Sequence, residues 1–507
     1  MKANRISRAM CLLLACLMLL PLVACGKTPK QDGTTAATTA ANVSGDVSPD
    51  TSASESAAVT TEATENTDAM GYLKDDLDPS LNFGGQTVNL LHWNDAEHEE
   101  FCADTANGDL VNDAIYTRNS AVEERLGIKI NFIGTAGDTN NEEPFALKLN
   151  ASITAGDHAY DIISAYSYTT GMCAARNLLY DLSSVDYLDF EKPWWPEMLI
   201  NQCTVNDKLL FLTGDMSANV IYTMYVSFFN KDLLESLKLE DPYKLVEEGK
   251  WTIDKQFEMC TGAYSDLNGN GVKDAGDQTG LYIYTLHFDA FLWGSNIFIV
   301  DSMDDHFQLS ADYMGEKTVN LQEKIKAFVY DTNDGFLTQD KANNHLFFGD
   351  GLSLFWNDRC HRAILYTEGD VSFGVLPIPK YNEEQNSYVT LLGNTFSLYG
   401  IPQDSQTPDM AGAVLECWAS ESYRQVTPAL YELSFKYKYS QDDVAARMFD
   451  IARSTVVLDL ARIFSNSLGA YKSWQKAITG SAGWASTVKA NETPWGNQLN
   501  KLKEIFE

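Results

Sequence analysis

The sequence predicts an α/β fold, in which helices connect the parallel strands of a sheet. Three short apolar runs are predicted to be buried strands: VNLLHW at 88–93, IKINFI at 128–133 and YDIIS at 160–164. A helical segment separates each run from the next, which is the order of βαβ units. With 507 residues, 45% of them hydrophobic, the chain has enough material for one large two-lobed body or for two to three ordinary domains.

Turn-forming and capping residues mark the ends of the predicted elements. Two glycines precede the first strand and an Asn-Asp pair follows it. The helix at 113–126 is predicted to begin with Asp113 as its N-cap and to stop at Gly127. Further helices are predicted at 145–155, 253–263, 409–420 and 442–452, and a further strand at 281–284.

The first 24 residues have the pattern of an export signal. Three basic residues precede an apolar run at 9–24, which Pro21 interrupts and which is short for a membrane span. The run ends in LVACG at 22–26, which resembles the bacterial lipobox. The resemblance implies a lipoprotein signal peptide over residues 1–24 and acylation of Cys25. The mature protein is then expected on the outer face of the cytoplasmic membrane, held by its lipid anchor.

The segment that follows Cys25 is rich in Thr, Ser and Ala and contains almost no aromatic residues. Such a composition buries too little apolar surface to offset the entropy that ordering the chain would cost. Residues 25–82 are therefore predicted to form a disordered tether, and the folded body is predicted to begin at Phe83.

The net charge restricts the classes of partner. The 37 Lys and Arg residues against 70 Asp and Glu give a formal charge of −33. Such a surface repels nucleic acids and, at long range, anionic ligands, which favours a neutral or cationic small molecule. The same charge also suits an exported protein that repulsion keeps soluble.

Six of the nine cysteines lie in the body of the chain. No CxxC pair occurs, so neither a zinc knuckle nor a thioredoxin-like site is indicated. An even number of cysteines outside the cytoplasm permits disulfides, but small apolar core residues are the preferred interpretation. These residues are Cys102, Cys173, Cys203, Cys260, Cys360 and Cys417.

Several motifs resemble, in their order and spacing, those of the family 1 extracellular solute-binding proteins. NFGGQTVNLLHW, AVEERLGIKINF and AYDIISA are similar to the opening lobe of that family, and YVSFFNKDLLESLKLEDPYKLVEEGKWTIDKQF is similar to its next segment. LFFGDGLSLFWND, FGVLPIPKYNE and LLGNTFSLYGIP follow, so the resemblance covers residues 83–478. It implies the binding subunit of an ABC sugar importer, with a type II periplasmic-binding-protein-like fold whose two α/β lobes close on ligand.

The resemblance also implies a division of the chain. The crossovers between the lobes are expected at 217–226 and 389–396. The expected parts are the first lobe at 83–220, the second lobe at 221–393, a return to the first lobe at 394–452, and C-terminal helices mainly on the second lobe at 453–507.

The segment DLNGNGVKDAGD at 266–277 has the spacing of an EF-hand calcium loop. Oxygen-bearing groups recur at alternate positions, and Gly271 stands at the sharp turn. An Asp replaces the usual Glu at the last position, which predicts a modest affinity. A polar Asn-Gly turn without metal is the alternative. The predicted ligands of a structural Ca²⁺ are Asp266, Asn268, Asn270, the carbonyl of Val272, Asp274 and Asp277.

A sugar site needs flat aromatic rings for the C–H faces of the ligand and planar polar groups for its hydroxyls. For each aromatic candidate, ordinary core packing is the alternative. By the resemblance, Trp356 falls in a segment that carries a ligand-stacking tryptophan. The candidates at predicted strand ends and crossovers are Trp93, Asn94, Asp95, Tyr166, Asp215, Tyr222, Trp293, Trp356, Asp358 and Asn394.

These observations predict a monomeric binding protein without enzymatic activity, which captures a sugar or oligosaccharide and delivers it to a membrane permease. An exported hydrolase acting on glycosides is the main alternative. The sequence contains no GxSxG, HExxH, Walker or GxGxxG motif, but a pair of catalytic carboxylates is a spatial feature that it does not reveal. A peptide or a cationic ligand is the second alternative, with Asp95, Asp215 and Asp358 as its carboxylates.

Overall fold

Two mixed β-sheets, each covered by helices, organise the folded chain. The structure is a computed structural model that describes residues 66–302, 306–431 and 443–507, all within one compact unit at 64–507. The predicted signal peptide, the lipidation site at Cys25 and the predicted tether as far as residue 65 lie outside the described residues.

The strands are short, as is usual in α/β proteins. They are β1 (Gln86–Trp93), β2 (Ile128–Thr135), β3 (Ile162–Tyr166), β4 (Tyr225–Asn230), β5 (Thr279–Tyr284), β6 (Val300–Asp301), β7 (Gln308–Leu309), β8 (Gly335–Thr338), β9 (Ser353–Arg359), β10 (Phe373–Pro377), β11 (Thr390–Leu391), β12 (Ser397–Gly400) and β13 (Val456–Val457).

The helices range from single turns to long surface elements. They are α1 (Leu110–Leu126), α2 (Glu142–Ala155), α3 (Ser167–Ala175), α4 (Glu197–Cys203), α5 (Ala218–Tyr222), α6 (Lys231–Ser236), α7 (Pro242–Glu247), α8 (Ile253–Cys260), α9 (Phe288–Gly294), α10 (Ala311–Met314), α11 (Glu316–Asp331), α12 (Leu346–Gly349), α13 (Arg362–Thr367), α14 (Pro408–Glu421), α15 (Asp443–Ser454), α16 (Leu460–Ile463), α17 (Tyr471–Thr479) and α18 (Trp484–Lys503).

The two main sheets share one pattern of strands. The first has the order β12-β3-β1-β2, in which β1, β2 and β3 are parallel and β12 is antiparallel to β3. The second has the order β10-β4-β9-β5-β8, in which β5, β8 and β9 are parallel and β4 is antiparallel to β9. In both sheets this antiparallel strand has arrived from the other sheet. The predicted two-lobed α/β fold is therefore confirmed, and the parts built on the two sheets are called the first and second lobes.

Two crossover segments, one leading into β4 and the other into β12, run side by side between the lobes. Met224 and Leu392 form an antiparallel bridge, and the N–H of Gly393 donates to the carbonyl of Thr223 at 2.8 Å. A Cβ atom on Gly393 would lie 2.6 Å from Cδ of Arg359, so the crossover needs glycine at this close approach.

The three predicted strands correspond to β1, β2 and β3 with ends shifted by at most two residues. Gly127 ends α1 in the left-handed conformation, with φ of 59°. The predicted start of this helix is wrong, because its N-cap is Asp109, whose carboxylate accepts hydrogen bonds from the N–H groups of Val111 and Asn112. Asp113 lies inside the first turn, where its charge also favours the helix.

Residues 66–82, predicted to belong to the tether, fold against the first lobe instead. The N–H of Asp75 donates to Ser420 Oγ at 3.0 Å, and Arg125 donates to the carbonyl of Leu77 at 2.8 Å. Leu77 is buried in the core. The few apolar residues of this stretch therefore pack against the first lobe, although the average composition of residues 25–82 is polar.

The helices near the C-terminus lie mainly on the second lobe. α14 packs on α1 of the first lobe, whereas α15 packs on β10 of the second. The expected return to the first lobe at 394–452 therefore includes a helix that belongs to the other sheet. The apolar face of α15, formed by Ala445, Met448, Phe449 and Ala452, is buried there. Helices α17 and α18 both contact α11 of the second lobe.

All six body cysteines are unpaired in the structure, and all of them except Cys102 are buried. They serve as small core residues, as the preferred interpretation holds. None of the helices in the described ranges combines the length and the apolar composition that crossing a bilayer requires.

Candidate ligand-binding cleft

A cavity of 340 Å³ lies between the lobes, at the carboxyl ends of their parallel strands. Residues that end or follow β1, β2 and β3 form one wall, and residues that end or follow β5, β8 and β9 form the other. Ligands of open α/β sheets bind at such ends, so this cavity, called the cleft below, is the candidate site. It is lined by Glu97, Thr139, Tyr166, Tyr225, Tyr284, Leu286, His287, Asp289, Lys341, Asn344, Asp358, Arg359, Arg362, Gly393, Asn394 and Thr395.

Several other cavities are larger than the cleft, and two of them, of 620 and 770 Å³, lie beside the crossovers. Their linings come from helices, loops and the short strands β6 and β13. Neither contains a residue from the carboxyl end of a parallel strand in the two main sheets. Size alone would favour these cavities, but the cleft is the one that lies at the carboxyl ends of the parallel strands of both main sheets.

Asp358, near the end of β9, is bound by groups of its own lobe. Its carboxylate accepts hydrogen bonds from the N–H of Arg359 at 2.7 Å and from Trp356 Nε1 and Arg362 Nε, each at 3.2 Å. His287 Nε2 lies 3.7 Å away. Burial acts to raise the pKa of Asp358, but His287 and the two arginines outweigh it and hold the pKa well below its usual range. Asp358 is therefore an ionised anchor that orients two arginines.

Glu97, in the loop after β1, connects the first lobe to the second. Its carboxylate accepts hydrogen bonds from Arg359 Nη1 at 2.5 Å and from the hydroxyl of Thr395. His361 Nε2 lies 3.5 Å from the same carboxylate. Burial acts to raise the pKa of Glu97, but Arg359 and His361 lower it below its ordinary value. This acid is also ionised and paired.

Asp289, in the first turn of α9, is held from behind the cleft. Tyr471 Oη donates to it at 2.7 Å and Gln475 Nε2 at 2.9 Å, while Arg462 lies 3.8 Å away. Burial raises the pKa of Asp289, and these three neighbours offset part of the rise. All three carboxylates of the cleft wall thus have partners within the protein.

Three tyrosines provide the aromatic surface of the cleft. Tyr166 ends β3, Tyr225 begins β4 and Tyr284 ends β5. Within the described part of the chain, none of their hydroxyl groups has a protein hydrogen-bond partner. The rings and these hydroxyls are suited to the C–H faces and the hydroxyl groups of a sugar.

Comparison with protein-family models and with curated protein sequences found no match. Solved structures do match. The galacto-N-biose/lacto-N-biose I-binding protein of the ABC transporter from Bifidobacterium longum, in complex with lacto-N-biose, has a TM-score of 0.56 at 15% identity, over 83% of this chain and 98% of its own. The cyclic α-maltosyl-1,6-maltose binding protein from Arthrobacter globiformis has a TM-score of 0.55 at 15% identity, over 82% and 99%.

The GacH receptor of Streptomyces glaucescens GLA.O, solved unliganded and in complex with acarbose, has a TM-score of 0.53 at 15% identity, over 82% of this chain and 99% of its own. The fold is that of the two-lobed binding proteins. At this identity the likeness concerns the fold alone.

Three of the ten predicted ligand residues line the cleft: Tyr166, Asp358 and Asn394. Asn394 lies in the second crossover, where its Nδ2 approaches Tyr471 Oη at 3.4 Å. Position at a strand end or crossover was the signal for all three. Their contact with a ligand stays a prediction.

The three predicted tryptophans are buried inside the lobes and do not line the cleft. Trp356 lies one layer below it and donates to Asp358. Trp93 and Trp293 fill the cores of the first and second lobes, where Trp293 Nε1 donates to Asp459 at 3.0 Å. These three rings pack in the cores, which was the alternative interpretation for each aromatic candidate.

The other four predicted residues lie elsewhere. Asn94 is exposed at the end of β1, and Asp95 accepts hydrogen bonds from backbone N–H groups of the loop after β2, the shortest at 3.0 Å. Asp215 lines the cavity of 770 Å³ and forms an ion pair with Arg453 at 3.2 Å. Tyr222 is buried and stacks on a histidine ring at 3.8 Å.

Sequence reasoning missed most of the charged lining. Tyr284 ends β5 and His287 follows it, and a strand was predicted here at 281–284. The rule that ligands bind at the carboxyl ends of strands would therefore have found both residues. Lys341 follows β8, a strand that was not predicted. The remaining missed residues are Glu97, Thr139, Tyr225, Leu286, Asp289, Asn344, Arg359, Arg362, Gly393 and Thr395.

The loop at 266–277 gathers part of the predicted calcium ligands. Asp274 accepts hydrogen bonds from Asn268 Nδ2 at 3.1 Å and from Asn270 Nδ2 at 2.6 Å, and Gly271 is left-handed with φ of 73°. Asp277 is buried and accepts from a tyrosine hydroxyl and two backbone N–H groups. No group of three or more His, Cys, Asp or Glu within the described ranges is arranged to hold a metal, so a site here depends on amide and carbonyl oxygens.

Proposed function

We propose that this chain is the extracytoplasmic binding subunit of an ABC importer and captures a sugar or short oligosaccharide in the cleft. The observation that carries the proposal is the lining itself. Strand ends of two lobes, a crossover and three tyrosines surround one cavity, and the hydroxyls of these tyrosines have no hydrogen-bond partner among the described residues. Movement of the lobes about the crossovers would bury the ligand and present a closed face to a permease. The saccharide complexes of the neighbours with lacto-N-biose and acarbose support this ligand class.

The arrangement of carboxylates does not favour the hydrolase alternative. A glycosidase needs one carboxyl group that protonates the leaving group and a second that is free to act as nucleophile or base. Glu97 and Asp358 are ionised and engaged by Arg359, and Asp289 is bound by Tyr471 and Gln475. Capture and release without bond cleavage is therefore the proposed chemistry.

A cationic ligand is also not favoured. The three carboxylates predicted for it do not converge, because Asp95 binds a loop of its own lobe, Asp215 lies in another cavity, and Asp358 is bound by arginines. A cation in the cleft would meet those same arginines.

Calorimetric titration with mono- and oligosaccharides tests the proposal, with peptides and polyamines as comparison ligands. We expect binding of a saccharide with no turnover on prolonged incubation. Tyr284→Ala is expected to weaken that binding about tenfold through loss of ring contact. Tyr330→Ala removes a half-exposed ring outside the cleft and is the matched control. Release of cleaved sugar, or equal effects of the two substitutions, would contradict the proposal.

We propose in addition that the loop at 266–277 binds a structural Ca²⁺. The approach of Asn268 and Asn270 to Asp274 and the left-handed Gly271 support it. The carboxylate of Asp266, which accepts from two glycine N–H groups of the loop, would supply a further oxygen.

The lipid anchor at Cys25 is a further part of the proposal, and it rests on the lipobox-like LVACG segment. The protein would then act as a monomer on the outer face of the membrane, next to its permease. A tethered binding protein remains within reach of the permease after it releases its ligand.

A further inference from the structure

We propose that the saccharide carries an anionic group, a carboxylate or a phosphate, which Arg362 and Lys341 recognise in the cleft. This inference rests on the proposed function, because it names the ligand class of the same site. It differs from the expectation that the net charge of −33 gives for the protein as a whole.

The carboxylates of the cleft are already matched. Glu97 is bound by Arg359, and Asp358 is bound by Arg359 and Arg362. Asp289 is bound by two hydrogen bonds and lies 3.8 Å from Arg462. The negative charge of the wall therefore has counter-charge within the protein.

The cations of the cleft, in contrast, keep groups that bind no carboxylate of the described residues. Arg362 gives only its Nε to Asp358, at 3.2 Å, and its two terminal nitrogens have no partner in the described part of the chain. Lys341 is exposed and forms no ion pair with any described residue. Arg362 thus shares Asp358 with Arg359 and keeps two terminal nitrogens for a ligand, and Lys341 faces the same cavity without an acid among the described residues.

The geometry of Arg362 favours an anion over a neutral hydroxyl. Asp358 is almost fully buried and fixes the guanidinium through Nε, so the terminal nitrogens present a planar pair of N–H donors. Such a fork matches two oxygens of a carboxylate or phosphate. Lys341 lies in the loop after β8, at the rim of the cleft. Its flexible side chain would place a second positive charge on the same anionic group.

The lining of the cleft provides different groups for the sugar ring and for the anionic group of the ligand. Tyr166, Tyr225 and Tyr284 offer rings and hydroxyls to a sugar, whereas the unmatched cations lie on the second-lobe side. An acidic saccharide uses both sets. A neutral saccharide would leave the terminal nitrogens of Arg362 without an anionic partner when the lobes close, which costs free energy.

Titration of the full-length protein with matched sugar pairs tests the inference. We would use glucuronide and galacturonide oligosaccharides, the neutral oligosaccharides of the same linkage, and a hexose phosphate. The acidic member of the recognised pair is expected to bind at least about tenfold more tightly. Preference for uronate or for the hexose phosphate identifies which anionic group is bound.

Lys341→Gln is expected to weaken binding of the acidic member more than binding of the neutral member, and so to reduce this preference severalfold. Lys250→Gln is the control, because Lys250 is an exposed lysine paired with Glu248 at 2.8 Å outside the cleft. Equal binding of acidic and neutral members, or a preference that Lys341→Gln leaves undiminished, would overturn the inference and leave the proposed function standing. Binding of no saccharide at all would overturn both.

Discussion

Arg359 of the second lobe donates from Nη1 to the carboxylate of Glu97 in the first lobe at 2.5 Å. The same guanidinium contacts Asp358 and the hydroxyl of Thr395 in the crossover. One side chain therefore connects both walls of the cleft and the segment about which they would move. The ion pair is only partly exposed, with 19% and 27% of the two side chains accessible to solvent.

Replacement of Glu97 by Gln tests this connection. The substitution removes a charge-assisted hydrogen bond between the lobes, so we expect the ligand-free protein to have a larger radius of gyration. The affinity for saccharide should fall about fivefold, from a loss of about 1 kcal/mol. Glu248→Gln, which breaks an exposed pair outside the cleft, serves as the control. Equal affinity and dimensions in the two variants would show that the bridge does not bias the lobes.

The stability of the protein is expected to depend on pH through Glu416. Burial raises the pKa of this carboxyl from 4.5 to about 7, although Trp194 and Trp195 both donate to it. Its folded pKa lies above the unfolded one, so the full stability is present below about pH 4.5 and part is lost as pH rises towards 7. The loss amounts to about 3 kcal/mol.

Urea unfolding at pH 5 and pH 8 measures this effect. Between these values the wild type should lose about 2 kcal/mol more than Glu416→Gln, which carries no titrating group at this position. For each protein, the free energy of unfolding at pH 8 is subtracted from that at pH 5. Comparing these two differences removes any destabilisation by the substitution that does not depend on pH. Parallel pH dependence in wild type and variant would contradict the assignment.

Calcium is expected to raise the melting temperature, and EGTA to lower it. Binding to the folded state alone stabilises by about 2.7 kcal/mol when the ion is at one hundred times its Kd. Asp266→Asn should abolish the shift, since it removes a carboxylate but keeps the acceptor for the turn. Asp331→Asn, an exposed acid at the end of α11, should retain it. No shift up to millimolar calcium would exclude the site.

Cys25→Ser is expected to abolish incorporation of labelled palmitate and to release the protein from the membrane fraction. The thiol is the only group in LVACG that can form the thioether of a lipoprotein. Cys16→Ser, within the apolar run of the same segment, should still be labelled. Labelling of Cys25→Ser at the wild-type level would contradict the proposed anchor.

The parts of the fold that local sequence determines were predicted well. Apolar runs and terminal glycines such as Gly127 can be recognised from a few neighbouring residues of the sequence. These signals located β1, β2, β3 and the end of α1. The rule that ligands bind at strand ends then found Tyr166 and Asp358. Trp93 ends β1 and Trp356 lies two residues before Asp358 on β9, but both rings are buried in the cores, because position near a strand end does not say whether a side chain reaches the cavity.

Most of the charged part of the cleft, Asp358 excepted, was beyond this reasoning. Arg359 and Glu97 are 262 residues apart in the chain, and nothing local marks them as a pair. The chain contains 70 acidic residues, so one acid near one strand end carries little information. The same applies to Arg362 and Lys341, which no local sequence pattern marks as residues of the cleft.

Small-angle scattering of the full-length protein, with and without a saccharide that binds, measures whether the ligand closes the lobes. If ligand draws two hinged lobes together around the cleft, the radius of gyration at saturation must fall, and Tyr284→Ala must require more ligand for the same change. A radius of gyration that stays the same in saturating ligand would contradict the account.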